Sequence, residues 1–290
     1  MVSVSIIGTG RVGGALALAL PSKKYTVKEL LGRIKRRFDV AGSERDVLPL
    51  ADISLLGSDL IIIATPDSAI VETAAALVGK IRPGTIVLHT SGALSSSVLS
   101  AVSDVGCRVG SMHPLISIST AELGPERMNG AYFCVEGDIE AITLAESIAR
   151  DLGGVPFQID TAKKPLYHAA AVMASGHIVA QFDVATEMMT LAGPDAEFAR
   201  KMLLPLTEST VKNLRLRDNA HALTGTFARA DVGTFEEHVK AIGAEASAEL
   251  MQLYLALGER SLDLALLQGA DKASVSEIRE RIFLAKSQVK

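Results

Sequence analysis

Apolar and polar positions follow two rhythms along this chain. Up to about residue 162, short β-branched-rich runs recur: VSVSIIG (2–8), TVKELLG (26–32), DLIIIAT (59–65), GTIVLHT (84–90), GCRVGSM (106–112), AYFCVE (131–136) and VPFQID (155–160). Helix-length amphipathic segments lie between several of them, at 11–20, 67–79 and 138–152. Strand, helix, strand in this order predicts a Rossmann-type α/β domain: a mostly parallel sheet with helices on both faces. Beyond 162 the strand-like runs stop. PLYHAAAVMASGHIVAQFDVATEMMTLAG (165–193) reads as one long helix closed by Gly193-Pro194, followed by helical patterns at 195–216, 234–256, 258–268 and 274–288. The expected organisation is a dinucleotide-binding domain over 1–162 and an all-α domain over 163–290. On the long helix Ala169, Val172, Ala174, Ile178, Val179 and Phe182 cover more than one face. Such a helix is buried on most sides, within its own domain or by a second copy of the chain, and a homodimer through the helical domain is expected.

Composition narrows the classes. The 290 residues are 48% hydrophobic and 21% charged, enough for a sizeable core. A net charge of -4, from 29 basic against 33 acidic residues, argues against a dedicated nucleic-acid binder. No run reaches the roughly 18 apolar residues of a membrane span. The chain opens on a strand-like run with no signal-type segment before it, so a cytoplasmic protein is expected. Cys107 and Cys134 sit in apolar runs without ligand-like spacing and read as reduced core residues. The 6 histidines show no ligand-like pairing, and no metal is expected.

The segment IIGTGRVGGALALAL places Gly8, Gly10 and Gly13 in G-x-G-x-x-G spacing, just after the first strand and at the start of a helix. Gly8 permits the tight turn, Gly10 lets a pyrophosphate approach the backbone, and Gly13 lets helix pack on strand. Thr9, Arg11 and Val12 complete the loop, whose helix end offers unpaired N–H groups to an anion. In NAD-binding units an acidic residue about 20 residues further on bonds the ribose 2′-hydroxyl. Here Glu29 lies inside the second strand, and that strand leads into Gly32-Arg33-Ile34-Lys35-Arg36-Arg37. A guanidinium pairs with a 2′-phosphate where a carboxylate would repel it. NADP is therefore the expected cofactor, with Arg33 and Arg36 as its clamp. The plainer alternative is a solvated start to a second helix.

Ligands of open α/β sheets collect at the carboxyl ends of the strands. Three further ends are polar: Ala64-Thr65-Pro66-Asp67, His89-Thr90-Ser91-Gly92, and Ser111-Met112-His113-Pro114. Ala64, Thr65, Pro66 and Ser91 are expected to line the cofactor. The order GxGxxG, ATPD, HTSG, MHPL and then YHAAA on a helix resembles the six-phosphogluconate-dehydrogenase-like superfamily. It is most similar to a branch of Rossmann-like NADP-binding oxidoreductases with a helical C-terminal domain of unassigned function. Pyrroline-5-carboxylate reductase, ketopantoate reductase and prephenate dehydrogenase are relatives. ALTGTFARADVGTFEEH (222–238) is similar to that branch's TGP-x-x-RGD-x-x-T-x-x-x-H motif, with Thr226 in place of Pro and Ala230 in place of Gly. The resemblance implies the fold and the cofactor but no substrate.

Hydride transfer belongs to the cofactor, and the protein must orient the acceptor and manage a proton. His113 stands at a strand end before Pro114, which holds it extended and aims it into the crevice. Ser91 can donate to a carboxamide or carboxylate. Lys164 and His168, four residues apart, share a helix face with Ser175, so Lys164 can bind a carboxylate or donate a proton and His168 can serve as acid. Asp231, with Arg229 and His238, can close the site from the helical domain. The ordinary readings remain: a surface Lys164, a satisfied core His168, and a loop ion pair plus helix cap at Asp231. The expectation is an NADP-dependent reductase or dehydrogenase for a small keto- or imino-acid, held in a crevice between the two domains. The alternative is a non-catalytic NADP sensor acting through its helical half.

Overall fold

The computed structural model describes residues 1–20, 24–40 and 42–288. It divides into two compact units, Met1–Ser175 and Gly176–Lys290. The division falls later than the change of rhythm at 162, because the first ten residues of the helical stretch belong with the sheet.

In the first unit the strands are β1 (Val2–Ile7), β2 (Tyr25–Gly32), β3 (Arg36–Val40), β4 (Ser43–Pro49), β5 (Leu60–Ile63), β6 (Ile86–His89), β7 (Arg108–Pro114), β8 (Tyr132–Gly137) and β9 (Val155–Gln158). They form one sheet in the order β3-β4-β2-β1-β5-β6-β7-β8-β9. From β4 to β7 along the sheet every pair is parallel, while β3 is antiparallel to β4 and β8 antiparallel to β7. The chain builds outward from β1 on one side, then returns to β5 on the other, so the switch point lies between β1 and β5, where an open α/β sheet binds its ligand. The helices are α1 (Arg11–Ala19), α2 (Asp67–Leu77), α3 (Ser100–Ser103), α4 (Gly124–Met128), α5 (Ile139–Asp151) and α6 (Lys164–Met173). Alternation along β5 shows how both faces are covered. Leu60 and Ile62 join one core with Leu16 of α1 and Ile148 of α5, while Ile61 and Ile63 join another with Ile70 and Leu77 of α2. Cys107 and Cys134 are buried and unpaired.

The second unit is helical: α7 (Gly176–Leu191), α8 (Ala196–Leu216), α9 (Asn219–Ala222), α10 (Val232–Glu245), α11 (Ala248–Leu267) and α12 (Lys272–Gln288). Its core, including Phe235, Ile242, Leu255, Leu262, Ile278 and Ile282, is built by α10, α11 and α12.

Four expectations need correction. The basic run does not open a helix. Arg33 to Lys35 form a turn, and Arg36 begins β3, which pairs back on β4 from Arg36 opposite Val47 to Val40 opposite Ser43. The stretch 165–193 is two helices, broken at Ala174-Ser175, where a serine and Gly176 weaken the helix and the Ser175 hydroxyl turns back onto the Ala171 carbonyl at 2.8 Å. α7 is not buried on most sides within one chain: it has no buried residue, and Val179 is 70% exposed. The helical pattern at 234–256 is likewise interrupted, because Ser247 caps a new helix by accepting from the Leu250 amide.

Among the described residues no helix is long and apolar enough to cross a membrane, and no group of three or more His, Cys, Asp or Glu is gathered as a metal site.

Candidate active site

The glycine loop joins β1 to α1. Gly8 has φ +95°, and a Cβ there would stand 2.7 Å from the Ala64 carbonyl oxygen. A Cβ at Gly13 would collide with the Gly8 carbonyl and approach the Ala64 side chain to 2.9 Å. Both glycines are thus required by the close approach of loop, helix and β5. Gly10 differs: nothing lies within 4 Å of where its Cβ would be. It caps α1 without a side-chain hydrogen bond, so no capping side chain takes up the first-turn amides of α1. The Arg36 guanidinium reaches across from β3 and donates to the Thr9 carbonyl at 2.7 Å and to the Thr9 hydroxyl. Arg33 lies exposed in the turn before it, and Arg37 pairs with Glu44 instead. Thr65 has a buried hydroxyl oxygen with no hydrogen-bond partner, and Pro66 starts α2 beside it. Glu29 is turned away from this region: it accepts from Ser5 and, at 3.1 Å, from Ser58. The one carboxylate of β2 is therefore engaged away from the strand's end.

A second polar cluster lies at the ends of β6 and β7 and the start of α6. Lys164 is 0% exposed, and Glu136 on β8 is 3% exposed. The ammonium donates to the Ser91 carbonyl at 3.0 Å and to the Ser111 hydroxyl, and stands 3.3 Å from Glu136 Oε1. Glu136 also accepts from the Ser96 amide at 2.9 Å, the Ser96 hydroxyl at 2.7 Å, the Ser111 hydroxyl at 2.6 Å and the Thr161 hydroxyl at 3.2 Å. Burial alone would raise the Glu136 carboxyl, but the hydrogen bonds from Ser111 and Ser96 and the Lys164 charge hold it below its usual value. Burial lowers Lys164, against the pull of Glu136. Lys164 is therefore not a surface charge: its three protons all have acceptors within the cluster.

Ser91 is equally occupied. Its hydroxyl donates to Asp67 Oδ2 at 2.9 Å and accepts from the amides of Leu94 at 3.0 Å and Ala93 at 3.2 Å. Its own amide donates to His89 Nδ1 at 3.1 Å. Next to it, a Cβ at Gly92 would fall 2.6 Å from His168 Cδ2 and 2.8 Å from His113 Nε2. Glycine at this position allows both imidazoles to close on the loop. His113 Nδ1 lies 2.7 Å from the Tyr167 hydroxyl, and the His113 and His168 rings meet edge-on at 6.1 Å. Burial first, then the Lys164 charge, pushes His113 down to about 4. The same causes push His89 to about 4. Both imidazoles are neutral at pH 7. Burial pushes the Tyr167 hydroxyl up.

The structure thus brings His113, His168, Lys164 and Ser91 together. Ser175 lies past the end of α6 and is apart from them. Asp231 belongs to the second unit and caps α10, accepting from the Thr234 amide at 3.0 Å and hydroxyl at 2.8 Å. Its neighbour Ala230 takes φ +47°, the left-handed conformation that glycine favours. His238 meets the Tyr254 hydroxyl at 2.7 Å. Sequence reasoning missed Glu136 and Tyr167. Glu136 carried a signal, since an acidic residue inside the apolar run AYFCVE requires a buried partner.

The profile of a Rossmann-like domain matches residues 1–114, and that of the domain of unknown function DUF2520 matches residues 131–261. No curated protein matches the chain. Among solved structures the chain is similar to protein TM1727 from Thermotoga maritima, with 24% identity over 91% of this chain and 99% of that one and a TM-score of 0.69. It is also similar to BF3122 from Bacteroides fragilis, provisionally described as an NADP oxidoreductase, with 19% identity over 90% and 98% of the two chains and a TM-score of 0.70. An imine reductase from Aspergillus terreus, solved with NADPH4 and a dibenzazepine, shares 20% identity over 95% and 98% of the chains with a TM-score of 0.60. The two profiles follow one another along the chain, a Rossmann-like domain and then DUF2520, and these solved structures share its fold.

Proposed function

We propose that this chain is an NADP-dependent oxidoreductase acting on a small carbonyl or imine compound, the class to which keto- and imino-acids belong. The observation that carries the cofactor is the contrast at the end of β2, where Glu29 is tied to Ser5 and Ser58 while Arg36 lies against the glycine loop. An adenosine ribose beside that loop would meet a guanidinium and no carboxylate. The open space over Gly10 and the unpartnered Thr65 hydroxyl fit a dinucleotide. The NADP-related descriptions of the BF3122 and imine reductase structures agree with this reading.

When bound, the nicotinamide supplies the hydride. Gly8, Thr9, Gly10, Arg11, Val12 and Gly13 would seat the diphosphate, with Ala64, Thr65 and Pro66 along the adjoining strand end and Arg33 and Arg36 toward the 2′-phosphate. His113, neutral at pH 7, would orient the acceptor from the Gly92 loop, with His168 beside it. Lys164 and Ser91 act by holding that loop. The experiment is a titration with both coenzymes. Arg36→Ala should weaken NADPH by about 1.5–3 kcal/mol, the worth of a hydrogen bond to a charged group, and leave NADH nearly unchanged. Wild-type protein that prefers NADH removes the clamp.

Two chains would pair through α7 and α8. Within one chain Phe198, Leu206 and Leu216 of α8 are 56%, 63% and 73% exposed, and α7 buries no residue. A monomer by light scattering at micromolar concentration would remove this part. A second reading, an NADP-binding sensor without turnover, draws on the engagement of Lys164, Ser91 and Asp231 in internal bonds. Tight NADPH binding with no turnover on keto acids, ketones or imines would favour it.

A further inference from the structure

The β3–β4 ribbon carries Arg36 but has little pairing to hold it in place. β3 is an edge strand bonded to β4, and β4 meets β2 only from Leu30 opposite Val47 to Gly32 opposite Pro49. A two-stranded ribbon is marginally stable by itself. Side-chain ties make up the difference. The Arg45 guanidinium on β4 donates to the Val27 carbonyl at 2.7 Å and to the Lys28 carbonyl at 2.6 Å. Phe38 stands directly opposite Arg45 in the register and supplies the other tie.

Side chains alternate across a strand, so Arg36, Phe38 and Val40 share one face of β3, and Arg37 and Asp39 the other. Phe38 and Val40 pack against the core that includes Leu16 of α1, whereas Arg37 is exposed and paired with Glu44. The Phe38 ring lies against Gly14 of α1. A Cβ at Gly14 would fall 2.9 Å from Phe38 Cζ, 3.2 Å from its Cε2 and 2.7 Å from the Ala121 Cβ. Gly14 is outside the G-x-G-x-x-G spacing and has no positive φ. Its missing side chain is a seat for the ring. Two residues along the same face, Arg36 reaches the Thr9 carbonyl at 2.7 Å. One strand face thus makes both contacts, the ring on helix α1 and the guanidinium on the loop that starts it.

From this, resting on the clamp reading above, we propose that Phe38 is a positioning residue for coenzyme choice: seated over Gly14, it holds Arg36 beside the glycine loop and so sets the preference for NADPH over NADH. A general loosening of the loop would weaken both coenzymes alike, because both carry the diphosphate. Misplacing Arg36 touches only the coenzyme with the 2′-phosphate.

The test is calorimetric titration of the full chain with NADPH and with NADH, read as the ratio of their dissociation constants. Arg36→Ala sets the floor of that ratio. Phe38→Ala should lower the wild-type preference about tenfold through weaker NADPH, with NADH binding kept. In the Arg36→Ala background it should lower the preference no further, since the two residues act through one contact. Phe38→Leu, which still fills much of the seat, should keep most of the preference. Gly14→Ala, which lifts the ring, should act like Phe38→Ala and carries the same readout if that variant does not fold. A Phe38→Ala or Gly14→Ala protein that keeps the full preference, or that weakens both coenzymes equally, overturns the proposal; the clamp stands if Arg36→Ala still abolishes the preference. A preference that survives Arg36→Ala, or a wild type with no preference or no binding, sinks the clamp and the proposal with it.

Discussion

The glycine loop and the Lys164–Glu136 cluster both sit at strand ends of one sheet, yet they treat polar groups in opposite ways. At the loop α1 is capped by Gly10 with no side-chain hydrogen bond, Gly10 has no neighbour where a side chain would be, and the Thr65 hydroxyl has no partner. At the cluster each polar atom of Lys164, Glu136 and Ser91 meets another. A buried polar group left unpaired is costly, and at the loop the Thr65 hydroxyl is such a group, which fits the dinucleotide proposed there. The cluster is internally paired except at the buried His89 Nε2, and it holds the Ser91–Gly92 backbone against which His113 and His168 close.

The sharpest way to break this contrast is to remove one partner of the enclosed pair. Lys164→Met should cost about 3–5 kcal/mol in urea unfolding, because Glu136 is left as an uncompensated buried charge, and a second change of Glu136→Leu should recover a large part of it. A small loss in the single variant would mean that the cluster is wet and adjustable.

Acid probes the same scaffold. His89 and His113 have folded values lowered from 6.5 to about 4. Below pH 6.5 the unfolded chain takes up protons that the folded chain refuses, so stability is present above 6.5 and falls as the pH drops toward 4. For the fully buried His89 the full loss is about 3 kcal/mol. Melting temperatures recorded from pH 7.5 to 4.5 should decline through this window, and His89→Gln should flatten the decline. A flat wild-type profile would remove the neutral-imidazole argument.

The loop offers a paired test. Gly13→Ala should lose about 1–3 kcal/mol of stability, since its Cβ meets backbone. Gly10→Ala should keep the melting temperature and instead lower NADPH affinity at least tenfold, because the space its Cβ enters is where the diphosphate would lie. Equal behaviour of the two variants would erase the distinction between packing glycine and binding glycine. The smallest effect is expected in the second unit. Ala230 is the one non-glycine described residue with positive φ, and Ala230→Gly should stabilise by about 1 kcal/mol in denaturant titration by relieving that strain.

Legibility along the chain tracks the reach of the physics. The strands at 2–8, 26–32 and 59–65 and the helices at 11–20, 67–79 and 138–152 were legible because alternation and helical period act over a few residues. The glycine loop was legible because its spacing is itself local. The β3–β4 hairpin was hidden: RRFDV and SERDVLP are too polar and charged to announce an edge ribbon, and only pairing with β2 makes β4 a strand. The helix break at Ser175 was missed because apolar period continues across it.

Residue types, local spacing and period by themselves determined the two-part α/β and all-α plan, the glycine bend, the basic run after the second strand and the candidates His113 and His168. Tertiary structure alone decided that Lys164 is enclosed, that Glu136 is its partner, that Arg36 lies on Thr9, and that Asp231 caps a helix. The physical reason is distance along the chain. A charge's role depends on which groups reach it after folding, and Lys164 receives its acceptors from three other strand and loop segments, at Ser91, Ser111 and Glu136.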